Sequence, residues 1–177
     1  RGAIEALEPD IVLANREENR ELDVRRLRDT GLNVWVTEIE TVDQAFTSMT
    51  RMFAGLGWDE PAWLAEARAE WDAPPSAGGR RVAVPIWRDP WMVVGARTFT
   101  GDVLARLGLV NAFGDSEGRY PHVELSDIEQ AEVDLVLLPD EPYVFTADDG
   151  PEAFFTNIGF AVERETQYGE KFGVLTL

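Results

Sequence analysis

The sequence predicts an α/β protein made of two lobes, each with a central, mostly parallel sheet, and three observations support that fold class. A ten-residue segment occurs twice in one register: Ile4-Glu5-Ala6-Leu7-Glu8-Pro9-Asp10-Ile11-Val12-Leu13 returns as Ile128-Glu129-Gln130-Ala131-Glu132-Val133-Asp134-Leu135-Val136-Leu137. Each copy reads as the end of a short helix, an acidic turn and a buried strand. Short aliphatic runs alternate with amphipathic helical stretches, as expected of parallel strands covered by helices. Finally, Ala73-Pro74-Pro75-Ser76-Ala77-Gly78-Gly79 has the composition of a linker. Together these place a first lobe at 1–57, a connecting helix and linker at 58–79, and a second lobe at 80–177.

In the first lobe, Asp10 to Ala14 is a short aliphatic run between turn signals, consistent with a buried parallel strand. Glu18 to Thr30 follows as a helix with Leu22, Val24 and Leu27 on one face, closed by Gly31 as the C′ residue. Asn33 to Val36 is the next strand. Thr41-Val42-Asp43-Gln44 is a capping box, with Thr41 as N-cap and Gln44 reaching back. From it, Val42, Ala45, Phe46, Met49, Met52 and Phe53 form one apolar stripe that ends near Gly55 and Gly57. Asp59 to Trp71 is a further helix, with Pro61 in its first turn.

In the second lobe, Arg81 to Trp87 reads as one aliphatic strand and Arg88-Asp89-Pro90-Trp91 as a loop. Thr100 to Leu107 is a helix stopped by Gly108. Asn111 to Pro121 reads as a long irregular segment. Ser126-Asp127-Ile128-Glu129 has the pattern of a second capping box, and Asp134 to Leu138 is the strand of the repeat. Asp148-Asp149-Gly150 lacks the spacing of a calcium loop and reads as a turn. Pro151 can open a last helix through Ala153 and Phe154, after which the apolar pattern fades through residues 162–171.

Composition removes several classes of function. The 33 acidic and 16 basic residues leave a net charge of −17, which repels phosphate backbones and argues against nucleic acid as a partner. Cysteine is absent, and with it disulfides, thiolate metal sites and cysteine nucleophiles. His122 is the only histidine, and none of the four serines lies in a G-x-S-x-G elbow. Neither glycine-rich phosphate-binding motif occurs. No apolar run approaches the roughly 20 residues that span a bilayer, and no signal peptide is visible. The expectation is a protein that neither spans a membrane nor performs chemistry, with no intrinsic cofactor and no protein-ligated metal.

Binding residues are a different matter. In Trp87-Arg88-Asp89-Pro90-Trp91 a strand ends abruptly in two indoles flanking a cation, an anion and a proline. Ligands of open α/β sheets bind beyond the carboxyl ends of strands. Indoles there offer rigid apolar faces, and Arg88 can pair with a ligand carboxylate or phosphate. The alternative is that Trp87 is core and Arg88-Asp89 a surface pair. Trp35, inside Val34-Trp35-Val36, is either a cleft residue or a core residue of a central strand. Phe113 and Tyr120 lie in the irregular segment, where aromatics either line a cleft or pin the loop. Asn15 directly follows a strand, where its amide can reach a polar ligand edge. Glu17, Glu18 and Glu21 favour a helix N-terminus or make a docking patch for basic residues, and Glu141 follows the equivalent strand of the second lobe.

Taken together, Glu8 to Asn15, Ile86-Trp87-Arg88-Asp89-Pro90-Trp91, Gly108 to Phe113, Arg119-Tyr120-Pro121 and Leu138-Pro139-Asp140-Glu141-Pro142-Tyr143 carry a family resemblance. They resemble the helical-backbone periplasmic binding proteins, receptors for cobalamin, haem and iron-siderophore that serve ABC importers. The resemblance covers roughly residues 3 to 155 and rests on the combination. It implies two α/β lobes joined by one long rigid helix, of which 59–72 would be part. It implies a ligand between the lobes, with Trp35 and Phe113 matching positions where aromatics of the two lobes hold the corrinoid in cobalamin receptors; with Asn15, Trp87, Arg88, Trp91 and Tyr120, read from the residues themselves, they make up the expected ligand site. It implies docking of Glu21 and Glu141 onto the arginines of a dimeric membrane permease. Aromatics usually stand where Asn15 does in the cobalamin receptors, which leaves the ligand open among cobalamin, haem and ferric siderophore.

The family begins with a further strand and helix, so the first lobe is expected to be incomplete, and its C-terminal helix is not recognisable after Phe154. The resemblance implies an extracytoplasmic location, periplasmic or at the cell surface, with the cytoplasm left open by the lack of a visible signal. The alternative function is an intracellular cofactor-handling protein or enzyme on a chelatase-like two-lobe fold.

Overall fold

The computed structural model describes residues 2–72, 78–139 and 141–145, together with the backbone of two short strands at 159–161 and 174–175. The chain forms two compact units, Arg1–Pro61 and Ala62–Leu177. The turn expected at Asp148-Asp149-Gly150, the helix expected after Pro151 and the fading pattern at 162–171 lie outside the described residues.

The first unit opens with α1 (Gly2–Glu5), then β1 (Val12–Asn15), α2 (Glu21–Arg28), β2 (Val34–Thr37) and α3 (Val42–Leu56). β1 and β2 pair in parallel, with Leu13 opposite Trp35 and Asn15 opposite Thr37. The helix expected from Glu18 begins at Glu21 instead. Residues 16–19 form a turn in which the Asn15 side chain accepts from the Glu18 N–H at 2.7 Å, so that local bond replaces the first helical turn. Gly31 and Gly57 take left-handed conformations, φ +88° and +70°, and end α2 and α3 as read. Thr41 caps α3 by accepting from the Gln44 N–H at 3.1 Å. The Gln44 side chain reaches back one residue further than a standard capping box, accepting from the Glu40 N–H. Val24, Val42 and Phe46 are the buried apolar residues of these helices.

The second unit contains α4 (Ala62–Asp72), β3 (Arg81–Ala83), β4 (Pro85–Trp87), β5 (Met92–Val93), α5 (Phe99–Arg106), β6 (Val110–Asn111), α6 (Leu125–Gln130), β7 (Leu135–Leu137), β8 (Gly159–Ala161) and β9 (Val174–Leu175). Five strands form one sheet in the order β6-β3-β7-β8-β9, parallel except for the β8–β9 pair. Successive strand residues point to opposite faces, and each face has its own core. Ala83 and Val136 pack with Ile128 of α6 and with Phe113, Val93 and Val133. Val82, Val84 and Leu135 pack with Leu104 of α5 and with Val94.

Three expectations for this unit are corrected. The single strand Arg81 to Trp87 is two strands in two sheets, because β4 leaves β3 at Val84 and pairs antiparallel with β5. Pro85 follows that break and has no N–H to give to a central ladder. The supposed capping box at Ser126 lies inside α6. The N-cap is Glu124, whose N–H is accepted by the Asp127 carboxylate at 2.8 Å. The irregular segment from Asn111 starts as a strand, since β6 pairs in parallel with β3. Thr98 caps α5, accepting from the Gly101 N–H at 3.0 Å while itself 2% exposed.

Candidate functional site

In the second unit, β6, β3 and β7 are neighbouring parallel strands, so their carboxyl-terminal continuations emerge side by side. β3 continues into the β4–β5 hairpin with Trp87, Arg88 and Trp91. β6 continues into the segment that carries Phe113 and Tyr120. β7 continues into residues 138–145. Main-chain bonds lace the first two together: Val93 N–H to Pro121 O (3.1 Å), Gly95 N–H to Arg119 O (2.8 Å) and Val123 N–H to Trp91 O (3.1 Å). Gly95 is required for this approach. A Cβ there would lie 2.7 Å from both the Gly118 carbonyl oxygen and Pro121 Cδ. Asn111 adds a clamp, donating from Nδ2 to Val94 O (3.0 Å) and accepting from the Phe113 N–H (3.0 Å).

Where these continuations meet, four rings form a chain. Trp87 meets Tyr143 edge-on at 5.7 Å between centroids, and Tyr143 tilts against Phe145 at 4.6 Å. Phe145 stacks on Trp91 at 6.0 Å with 15° between planes. The Arg88 guanidinium lies 5.7 Å from the Trp91 ring centre, within cation–π range, and 3.9 Å from Asp89. Trp87 is 42% exposed, so its outer face is open to solvent, whereas Trp91 leans on the core and Phe145 is buried. Such an array offers flat apolar surface with a fixed positive charge at one side.

Of the residues expected at the site from the sequence, the structure brings together Trp87, Arg88 and Trp91. Tyr120 is half-buried on the neighbouring segment, with the Arg119 guanidinium 6.0 Å from its ring centre. Phe113 is corrected: it is buried at 9% exposure in the core with Ile128 and Val136, where packing occupies its ring. Tyr143 and Phe145 were not singled out. The signal that points to them is a pair of aromatics in the short stretch that follows a parallel strand, with Tyr143 next to Pro142 as Trp91 is next to Pro90.

In the first unit, Asn15 and Trp35 stand near the carboxyl ends of β1 and β2, on the face covered by α3. Trp35 is half-buried, and its ring lies so close to Gly55 that a Cβ there would be 2.7 Å away. Trp35 also borders a concavity of about 510 Å³ with Thr37, Glu38, Asp43, Gln44, Ser48 and Arg51. Asn15 borders a second one of about 350 Å³ with Leu13, Asn19, Ile39, Met49 and Met52. Its side-chain oxygen is committed to the Glu18 N–H, so Asn15 holds the turn as well as lining the hollow. Glu21 is exposed and pairs with Arg25 at 2.9 Å one helical turn on. Glu141 is exposed beside the aromatic array. Among the described residues there is no group of three or more His, Cys, Asp or Glu side chains placed to hold a metal ion. No helix among them is long and apolar enough to cross a membrane.

Neither a protein-family model nor a curated protein sequence matches the chain. Solved structures do. The chain is similar to the periplasmic vitamin B12 binding protein BtuF of Vibrio cholerae, at 18% identity and a TM-score of 0.63, over 78% of this chain and 57% of that one. It is similar to the periplasmic heme-binding protein RhuT of Roseiflexus sp. RS-1, at 19% identity and a TM-score of 0.68, over 78% and 57%. With Helicobacter pylori CeuE the identity is 13% and the TM-score 0.74, over 89% of this chain and 53% of that one. The chain thus spans a little more than half the length of these proteins. Its α/β fold is that of the periplasmic substrate-binding proteins, the fold that the resemblance in sequence implies.

Proposed function

We propose that the chain captures a metal chelate or corrinoid and delivers it to the permease of an ABC importer, outside the cytoplasm and without chemical conversion. The observation that carries this reading is the array of Trp87, Tyr143, Phe145 and Trp91 with Arg88 at its side, at the carboxyl end of a parallel sheet. Vitamin B12, heme and nickel appear in the names of the similar structures. A chelate presents an organic surface, so its receptor needs rings and charges rather than metal ligands. That agrees with a chain holding one histidine and no cysteine. Trp35 and Asn15 are proposed as ligand contacts within the first unit, and Glu21 and Glu141 as the contacts with permease arginines.

The test is tryptophan fluorescence during titration with cyanocobalamin, haemin and a ferric catecholate. At least one is expected to quench, and Trp87→Ala is expected to weaken that ligand by about tenfold or more, the scale of losing one large ring contact. Arg88→Gln should weaken haemin or the catecholate, both anionic, and leave cyanocobalamin unchanged. If none of the three quenches, the reading fails. Reconstituted with its permease, Glu21→Arg and Glu141→Arg should each reduce ligand-stimulated ATP hydrolysis without changing ligand affinity.

A further inference from the structure

We propose that Arg97 selects an acidic ligand, its guanidinium pairing with a carboxylate or catecholate oxygen of a chelate whose apolar body lies against the Trp87 array. The inference rests on the receptor reading above and narrows it. Four described residues other than glycine hold a left-handed backbone: Glu8, Asp89, Arg97 and Glu132. Arg97 does so at φ +53°, in the connection from β5 to α5. Glycine, and after it asparagine, would take that conformation at less cost. Both flanks are fixed. Two residues earlier, the buried Gly95 gives its N–H to Arg119 O at 2.8 Å, and its carbonyl accepts from Asn111 Nδ2 at 3.4 Å. One residue later, Thr98 is buried and caps α5. Arg97 itself is exposed. A strained residue that carries an exposed charge on a rigid mount is the pattern found at ligand clamps.

Of the arginines on this edge of the sheet, Arg88 stands against Trp91 and 3.9 Å from Asp89, and Arg119 lies 6.0 Å from the Tyr120 ring centre. Arg97 makes no hydrogen bond, ion pair or ring contact among the described residues. Acidic residues outnumber basic ones 33 to 16 in the chain, so chance alone favours a carboxylate partner for an exposed arginine. The hairpin sets the scale of the ligand. The Val94 N–H bonds Val84 O at 2.8 Å and closes the base of the β4–β5 hairpin. Trp87 and Trp91 stand three residues outward from that base, about 10 Å along a strand. Arg97 stands on the other side of the base, toward α5. A ligand reaching from the indoles to Arg97 therefore combines a broad apolar body with an acidic group at its margin. The planar guanidinium meets such an oxyanion through two parallel N–H donors.

The test titrates the 177-residue chain with haemin, a ferric tris-catecholate and cyanocobalamin, followed by tryptophan fluorescence, beside thermal melts. The parent is expected to bind at least one of the two anionic chelates. Arg97→Gly should raise that dissociation constant about tenfold or more, the scale of losing a charged hydrogen bond. The same substitution should raise the melting temperature by about 1–4 °C, because glycine relieves the left-handed backbone. Arg97→Lys keeps the charge without the planar fork and should weaken binding less than Arg97→Gly does. Lost affinity together with gained stability separates a binding residue from a structural one. Three results overturn the inference and leave the receptor reading standing: an anionic chelate held equally well by the parent and Arg97→Gly, binding of cyanocobalamin alone, or a lower melting temperature for Arg97→Gly. If none of the three chelates binds, the receptor reading fails and the inference fails with it.

Discussion

Gly95→Ala probes the lacing of the second unit most directly. The added methyl would sit 2.7 Å from the Gly118 carbonyl oxygen, 2.7 Å from Pro121 Cδ and 3.1 Å from the Arg119 carbonyl oxygen. A relaxed C···O contact is about 3.3 Å or more, so the shortfall exceeds half an ångström. The groups in the way are two backbone carbonyls and a proline ring, and none can swing aside as a flexible side chain would. Overpacking of this kind costs about 1–3 kcal/mol. Relief requires residues 118–121 to move outward, which stretches the bond from the Gly95 N–H to Arg119 O (2.8 Å) and costs about 1 kcal/mol more. The expected total is about 2–4 kcal/mol, a fall in melting temperature of roughly 5–15 °C. Urea titration followed by tryptophan fluorescence gives the free energy, and calorimetry gives the temperature. Gly118→Ala is the control. It meets open space but forces φ +91° on an alanine, so its cost comes from backbone conformation alone. A Gly95→Ala protein that melts within about 2 °C of the parent would refute the account of the lacing.

Four further outcomes follow from the same physical reasoning. Ile128→Ala empties a site of 0% exposure between α6 and the sheet and should cost about 2–5 kcal/mol by denaturant titration. Thr98→Ala removes a buried cap of α5 and should cost about 1–2 kcal/mol, measured the same way. Glu132→Gly should stabilise by about 0.5–1 kcal/mol, because Glu132 is held at φ +50°, where a side chain is strained and glycine is not. Trp91→Ala should both weaken ligand binding and lower stability, since the ring also packs on the core, whereas the more exposed Trp87 should affect binding alone. Equal melting points for the two tryptophan variants would contradict that division.

The repeated segment was the most informative part of the sequence, and its two copies share backbone geometry that their residue types do not announce. Glu8 and Glu132 stand at the same place in the repeat, and both are left-handed, φ +46° and +50°. Each joins a short helix to a parallel strand, β1 in one case and β7 in the other. Helix ends were readable wherever glycine marked them, as at Gly31, Gly57 and Gly108. The break at Val84 was not, because it depends on β5 lying beside β4, a non-local fact. The choice between Ser126 and Glu124 as N-cap was ambiguous in principle, since both precede a carboxylate three or fewer residues on. At the candidate site, Trp87 and Trp91 could be picked out from one local stretch. Tyr143 and Phe145 join them only because β3 and β7 are neighbours in the sheet. Phe113 stands at the carboxyl end of a strand much as Trp87 does, but the turn after Asn111 directs it inward, and no local pattern carries that information.

The connections around Gly95 tie one segment to another through peptide groups: Val93 to Pro121, Gly95 to Arg119, and Trp91 to Val123. Bonds of this kind are indifferent to the side chains they pass beneath. Trp87 projects from a frame whose integrity does not depend on its indole, and point substitution can exchange that ring for another without dismantling what carries it. Selection can therefore retune the surface one residue at a time, while glycine at position 95, which has no side chain to alter, is the residue least free to change.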